Sequence, residues 1–211
     1  MKKLLLNAII GVLLMTTTNA FAARKNFDGK IIVTPLPVFI IATYDANNIP
    51  NAMTASWGGQ IGYHEVAFHV AAHKTTENLE LNKAFTLSFA DKKNVVIADY
   101  FGMESGWNVN KIEKAGVHTY KSNFVNAPVI EEFPLTLECV VTEMKKESNG
   151  DIRVVGKVLN MSADESILDE NGNIDVGKLE PISYDQSKRI YRILGEKVGN
   201  TFQDGLQIKN K

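Results

Sequence analysis

Three short segments of this 211-residue chain carry residue types suited to ligand chemistry. Thr54-Ala55-Ser56-Trp57-Gly58-Gly59 places two hydroxyls, a large aromatic and two glycines within six residues. Small residues and glycines let a flat ring come close to the backbone, while hydroxyls and N–H groups bond its polar edge. His73-Lys74-Thr75-Thr76-Glu77-Asn78 joins a β-rich run to a helical one, with Thr75 or Thr76 as the expected N-cap. A helix start with free N–H groups, hydroxyls, a lysine and a histidine suits a phosphate. Asp99-Tyr-Phe101-Gly-Met-Glu-Ser105-Gly106, followed by Lys111, brings aromatics, glycines and a serine to a helix end, where they could cover one side of a flavin or nicotinamide ring. Taken singly, each segment also fits an ordinary element: a turn with one core Trp, a capped helix with a solvated lysine, an aromatic pair at a C-cap. Taken together they suit a phosphorylated planar cofactor, which needs both a ring slot and an anion site.

The elements that must position these segments are mostly strands. Val38 to Tyr44 is β-rich, Asp45 to Asn48 is turn chemistry, and Ile49 to Ser56 resumes an extended chain, which together describe a hairpin. Glu65 to Ala72 and Phe85 to Ala90 read as further strands. Leu135 to Glu143 and Arg153 to Met161 flank Asn149-Gly150, a strong hairpin turn. Helices are expected at Thr76 to Lys83, Asn94 to Tyr100 and Asn108 to Lys114. Many strands with short connections and a few peripheral helices predict a mainly β fold, a barrel or a sandwich.

Composition bounds the rest. Met1-Lys2-Lys3, the apolar run Leu4 to Met15, polar Thr16 to Asn19 and Ala20-Phe21-Ala22 describe a secretory leader. Its apolar run is too short to cross a hydrocarbon core of roughly 30 Å. Two lysines rather than twin arginines suggest Sec-type export with cleavage after Ala22. The expected domains are therefore residues 1–22, the signal peptide, and 23–211, a single domain in the periplasm or outside the cell. That domain has 21 Lys+Arg against 24 Asp+Glu, a net charge of −3. A weakly acidic domain lacks the footprint of a nucleic-acid binder. No other stretch reaches the roughly 18 apolar residues of a spanning helix, so no membrane association is expected after cleavage. Cys139 is the only cysteine, excluding an intrachain disulfide; within an apolar run it reads as a small buried hydrophobe. His64, His69 and His73 do not complete a zinc pattern. The calcium-loop rhythm from Asp169 to Glu180 has Ile174 where the sharp turn needs glycine. No metal site is expected.

Four ordered segments resemble the flavoredoxin branch of the flavin reductase-like proteins: Pro50 to Gly59, His73 to Asn78, Asp99 to Gly102 with Ser105-Gly106, and Asn126 to Glu132. Asp169-Glu-Asn-Gly172, Leu179-Glu-Pro181 and Tyr191 to Lys197 agree, so the resemblance runs from about Pro35 to Gly205. It implies an antiparallel Greek-key, FMN-binding split β-barrel, usually a homodimer with the flavin near the subunit interface. By position, it places Thr54, Ala55, Ser56 and Trp57 along the isoalloxazine and ribityl chain. Lys74, Thr75, Thr76 and Asn78 fall near the phosphate, and Phe101, Ser105 and Lys111 on the ring's outer wall. His73 joins the phosphate group, but it stands where many relatives carry Arg and makes a less permanent partner. The leader is a second departure from relatives that are mostly cytoplasmic. The implied activity is FMN-dependent oxidoreduction, with NAD(P)H or a redox protein as donor. The other readings are an electron carrier between proteins, or an exported module that binds flavin or haem without turnover. No residue is required as an acid or base, because the cofactor carries the chemistry.

Overall fold

The computed structural model describes residues 24–209, so the expected leader and its cleavage point lie outside the described residues. Contacts divide the chain into two units, Met1–Ile31 and Ile32–Lys211. In the first, residues 24–31 carry one turn, closed by the Lys30 N–H on the Phe27 carbonyl at 2.9 Å. The second holds every strand and helix among the described residues. It begins with β1 (Leu36–Pro37), β2 (Phe39–Tyr44), β3 (Pro50–Ala55), β4 (Gly58–Gly62), β5 (Glu65–Val70), α1 (Lys74–Asn82) and β6 (Ala84–Phe89). There follow α2 (Val95–Met103), α3 (Lys111–Ala115), β7 (Thr119–Lys121), β8 (Pro128–Ile130), β9 (Leu135–Lys146) and β10 (Ile152–Ala163). After a 3-10 turn at Glu165–Ile167 come α4 (Val176–Leu179), β11 (Ile182–Asp185), β12 (Ile190–Ile193) and α5 (Leu206–Lys209).

Seven strands form one antiparallel sheet in the order β3-β2-β6-β9-β10-β5-β4. β3 and β4 are its opposite edges, yet only Ser56 and Trp57 separate Ala55 from Gly58. Three Cα steps of about 3.8 Å span at most about 11 Å, so the sheet must curl until its edges are neighbours. Among the described residues no ladder joins those edges, and the barrel is split. The expected mainly β split barrel is the fold of this chain.

Residue alternation sorts the core into two layers. Phe39 and Ile41 of β2 point into the barrel with Met53, Phe68, Phe85 and Val154. Ile40 and Ala42 point outward to Ala98, Phe101 and Ile112 of the helical cover. Successive side chains leave opposite faces of a strand, so β2, buried on both faces, needs its continuous apolar run. A Cβ at Gly156 would lie 2.3 Å from Phe85 Cζ; glycine there lets the Phe85 ring meet Phe68 edge-on at 5.4 Å. Register shifts at Val155/Gly156 and Val158/Asn160 mark irregularities in the β9–β10 pair, of the kind that bend and twist a strand. Cys139 lies fully buried in the inner layer, where burial first and Glu138 second push its thiol up to about 12.

The hairpin about Asn149-Gly150 is present, with strands of 12 residues each, longer than the sequence pattern suggests. Six short strands outside that pattern, β1, β4, β7, β8, β11 and β12, owe their place to pairing rather than to apolar alternation. The start of α1 corrects the expected cap. His73 is the N-cap, and the Thr76 hydroxyl accepts from the His73 N–H at 2.8 Å while donating to its carbonyl at 2.6 Å.

Candidate functional site

The sequence motifs converge where β3, α1, α2 and α3 meet. Asn51 in β3 reaches α1, its Nδ2 donating to Thr75 Oγ1 at 2.9 Å. That bond leaves the Thr75 hydroxyl proton free to donate elsewhere. Thr54, three residues along β3, donates its hydroxyl to the Ala98 carbonyl of α2. Lys111 opens α3 and donates from Nζ to the Phe101 carbonyl near the end of α2 at 3.0 Å. A Cβ at Gly106 would fall 2.1 Å from Asn51 Oδ1 and 3.3 Å from Lys74 Cδ. Glycine is therefore required for the α2–α3 loop to close against β3 and α1.

These elements enclose a small cavity of about 80 Å³. It is rich in donors: the Thr75 hydroxyl, the Lys111 ammonium, Ser105, and the free N–H groups of Lys74 and Thr75 in the first turn of α1. Glu104 is the one acidic side chain on its wall. Lys111 is only 4 % exposed, and burial pushes its ammonium down to about 8 against the upward pull of Glu104. Burial first, then the charge of Lys111, hold the His73 imidazole below its usual value. Lys74 pairs with Asp45 at 3.1 Å. Burial raises the Asp45 carboxyl, but the Ile49 N–H, Lys74 and the Asn47 N–H outweigh it and hold the group below the usual carboxylate range.

Met53, Thr54, His73 and Gly102 are shared with a second cavity of about 830 Å³. Its walls are Met53 to Trp57, His69 to Ala71 at the end of β5, and Asp99 and Met103 of α2. The tip of the β9–β10 hairpin adds Asn149 and Asp151, and the β11–β12 hairpin adds Tyr184, Arg189 and Tyr191. Tyr191 donates its hydroxyl to Asp99 Oδ1 at 2.8 Å. Burial, then that carboxylate, push its phenol up to about 12. The larger cavity and the compact donor-lined one thus share a wall.

Residues 33–189 match the flavin reductase-like domain family. The chain belongs to that family. The flavoredoxin of Desulfovibrio vulgaris (Miyazaki F) superposes with a TM-score of 0.82 at 28 % identity, covering 87 % of this chain and 100 % of that one. A flavoredoxin from Methanosarcina acetivorans shares the fold at a TM-score of 0.80 and 24 % identity, covering 89 % of this chain and 100 % of its own. An uncharacterized protein of Aquifex aeolicus (strain VF5) is 26 % identical over 174 residues, 78 % of this chain and 88 % of that one.

Within this flavin reductase-like domain, the positions singled out in the sequence divide by geometry. Thr54, Ala55, Ser56, Trp57 and His73 line the larger cavity. Lys74, Thr75, Ser105 and Lys111 line the smaller cavity and not the larger. Phe101 is buried in the outer core and meets the small cavity beside its carbonyl contact to Lys111. Thr76 and Asn78 line neither cavity. Thr76 caps the helix, and Asn78 Nδ2 donates to Thr43 Oγ1 at 3.0 Å. The sequence reading missed Asn51, which supports Thr75, and the wall formed by Asn149, Asp151, Tyr184 and Arg189. Only pairing across distant strands brings that wall to the site. Among the described residues no helix is long and apolar enough to cross a membrane.

Proposed function

We propose that this chain is an exported FMN-dependent oxidoreductase of the flavoredoxin type, holding the flavin ring in the larger cavity and its phosphate in the smaller. The observation that carries the reading is the donor set of the small cavity beside a slot large enough for a planar ring. Bound FMN would supply the hydride or electron transfer. Lys111, the Thr75 hydroxyl and the first N–H groups of α1 would hold the phosphate through charge-assisted bonds and the helix N-terminus. Ala55 and Ser56, small and largely buried, would let the ring approach the backbone, and Trp57 would limit its contact with water. Gly106 keeps the anion pocket closed on its loop side.

The donor is NADH, NADPH or a redox protein. Trp57, Met103 and Trp107 are all more than half exposed near the cavities, which supports a second copy of the chain covering that surface in a homodimer. Export rests on the leader-like residues 1–22.

The test is titration of the FMN-free protein with FMN and with riboflavin, which lacks the phosphate, followed by anaerobic mixing with reduced nicotinamides. Binding of FMN more than about tenfold tighter than riboflavin, the effect of losing one or two charge-assisted bonds, supports the reading. A protein that takes up neither flavin overturns it. Uptake without bleaching by any donor, protein donors included, replaces the oxidoreductase with a binding module.

A further inference from the structure

The ring reading leaves one wall of the larger cavity without a ligand, the wall made by the β11–β12 hairpin. We propose that Tyr184, Tyr191 and Arg189 form a second subsite, for a planar aromatic acid, in which Arg189 selects the carboxylate. The proposal rests on the reading of this cavity as a flavin site, because the acid would be the molecule that meets the ring.

Four observations lead there. The carboxylates on this part of the cavity are already engaged: Asp99 Oδ1 accepts from the Tyr191 hydroxyl at 2.8 Å, and Asp151 Oδ2 from Asn149 Nδ2 at 2.8 Å. Arg189 lines the same cavity and, among the described residues, makes no ion pair or side-chain hydrogen bond. The guanidinium is therefore unpaired in this wall, and its fork of donors fits a carboxylate in two parallel bonds.

The backbone that carries Arg189 is held in a costly conformation. Asp185 Oδ1 accepts from the Ser187 N–H at 3.1 Å, the Ser187 hydroxyl at 2.6 Å and the Lys188 N–H at 3.3 Å, while Oδ2 takes the Arg192 Nε at 2.9 Å. In the turn thus fixed, Arg189 has φ +54°, the left-handed region where glycine or asparagine would sit at less cost. A side chain retained at a strained position that lines a cavity points to a use for that side chain.

The remaining two observations concern shape. Tyr184 and Tyr191 lie with ring centroids 6.2 Å apart, an aromatic pair lining the same cavity as the arginine. The cavity, at about 830 Å³, stands in the upper part of the roughly 300–1,000 Å³ range of small-molecule sites, with room for a second ring. A dinucleotide pyrophosphate fits less well, because this wall has one arginine and no helix N-terminus.

The experiment uses FMN-loaded protein titrated with 4-nitrobenzoate, with the neutral 4-nitrobenzamide and with ADP-ribose, read by the flavin difference spectrum. A parallel titration of FMN-free protein is read by tryptophan fluorescence. The acid should bind about tenfold tighter than the amide, the effect of one exposed charge-assisted pair. R189Q should abolish that preference, R189K should keep part of it, and FMN affinity should stay within about twofold in both variants. Equal binding of acid and amide, or a preference that survives R189Q, overturns the proposal. So does ADP-ribose binding tighter than the acid with the same dependence on Arg189. If FMN fails to bind, an Arg189-dependent preference in the FMN-free protein supports the subsite while the flavin reading falls.

Discussion

Replacing Lys111 with methionine separates the cost of a buried cation from its use. In the free protein the ammonium is 4 % exposed, with one hydrogen bond, 3.0 Å to the Phe101 carbonyl. Methionine keeps most of the aliphatic stem and removes the charge. Two effects on stability oppose each other: the Phe101 carbonyl loses its partner, costing about 1–3 kcal/mol, and the desolvation of a cation is relieved by a similar amount. The FMN-free variant should therefore melt within about 4 °C of the parent, since 1 kcal/mol moves a domain of this size by about 2–4 °C.

Phosphate binding has no such offset. A bond from a charged donor is worth about 1.5–3 kcal/mol, so FMN affinity should fall roughly 10- to 150-fold. Riboflavin affinity should hardly change. The pH behaviour follows from the direction of the shift. Burial sets the Lys111 pKa at about 8 in the free fold against 10.5 ordinarily. A bound phosphate favours the charged form, so FMN affinity is full below about pH 8 and declines as pH climbs through that value. The parent should also gain stability relative to K111M between about pH 8 and 10.5, where the unfolded chain binds the extra proton. The assay is flavin fluorescence quenching from pH 6.5 to 9.5 with both flavins, the riboflavin series serving as the control. An unchanged FMN-to-riboflavin ratio in K111M would refute the placement of the phosphate.

Adjacent threonines at the start of α1 should separate cleanly. T75V should weaken FMN by about 1 kcal/mol or more, measured by titration, whereas T76V should lower the melting temperature through loss of the cap, costing about 1 kcal/mol, with little change in FMN affinity. His73, held below its usual pKa by burial and by Lys111, is neutral at pH 7. FMN affinity should therefore rise as pH falls through that depressed value, while the FMN-free fold loses stability over the same interval; H73Q should remove both trends in paired titration and melting series. G106A places a Cβ 2.1 Å from Asn51 Oδ1. It should cost about 1–3 kcal/mol by overpacking and weaken FMN more than riboflavin, because the displaced Asn51 supports Thr75.

Local chemistry made much of this molecule legible in the sequence. Continuous apolar residues in Phe39–Ala42 mark a strand buried on both faces, Asn149-Gly150 marks a hairpin, and the segments at Thr54, His73 and Ser105 mark where a ligand would lie. Such signals depend on neighbours along the chain. The helix cap illustrates their limit: Thr75 and Thr76 are both good cap residues, and only the folded turn shows Thr76 bonding back to His73 while Thr75 faces the small cavity. Lys111 shows it again, since the expected helix from Asn108 to Lys114 puts it mid-helix, and only the fold sets it at the start of α3 beneath the end of α2.

What the sequence alone determined is the class of fold, the branch of the family it resembles and ten of the residues around the two cavities. Tertiary structure decided which of those residues share a cavity, set Asn51 beneath Thr75, and brought in Tyr184 and Arg189 from segments that carry no ligand signal of their own. The reason is the pairing of the sheet. Ser56 and Trp57 hold its two edges together, and the β11–β12 turn reaches the same space through contacts between residues more than 80 positions apart, as in the bond from Tyr191 to Asp99. Periodicity and capping rules act over a few residues, so no reading confined to them can place that wall.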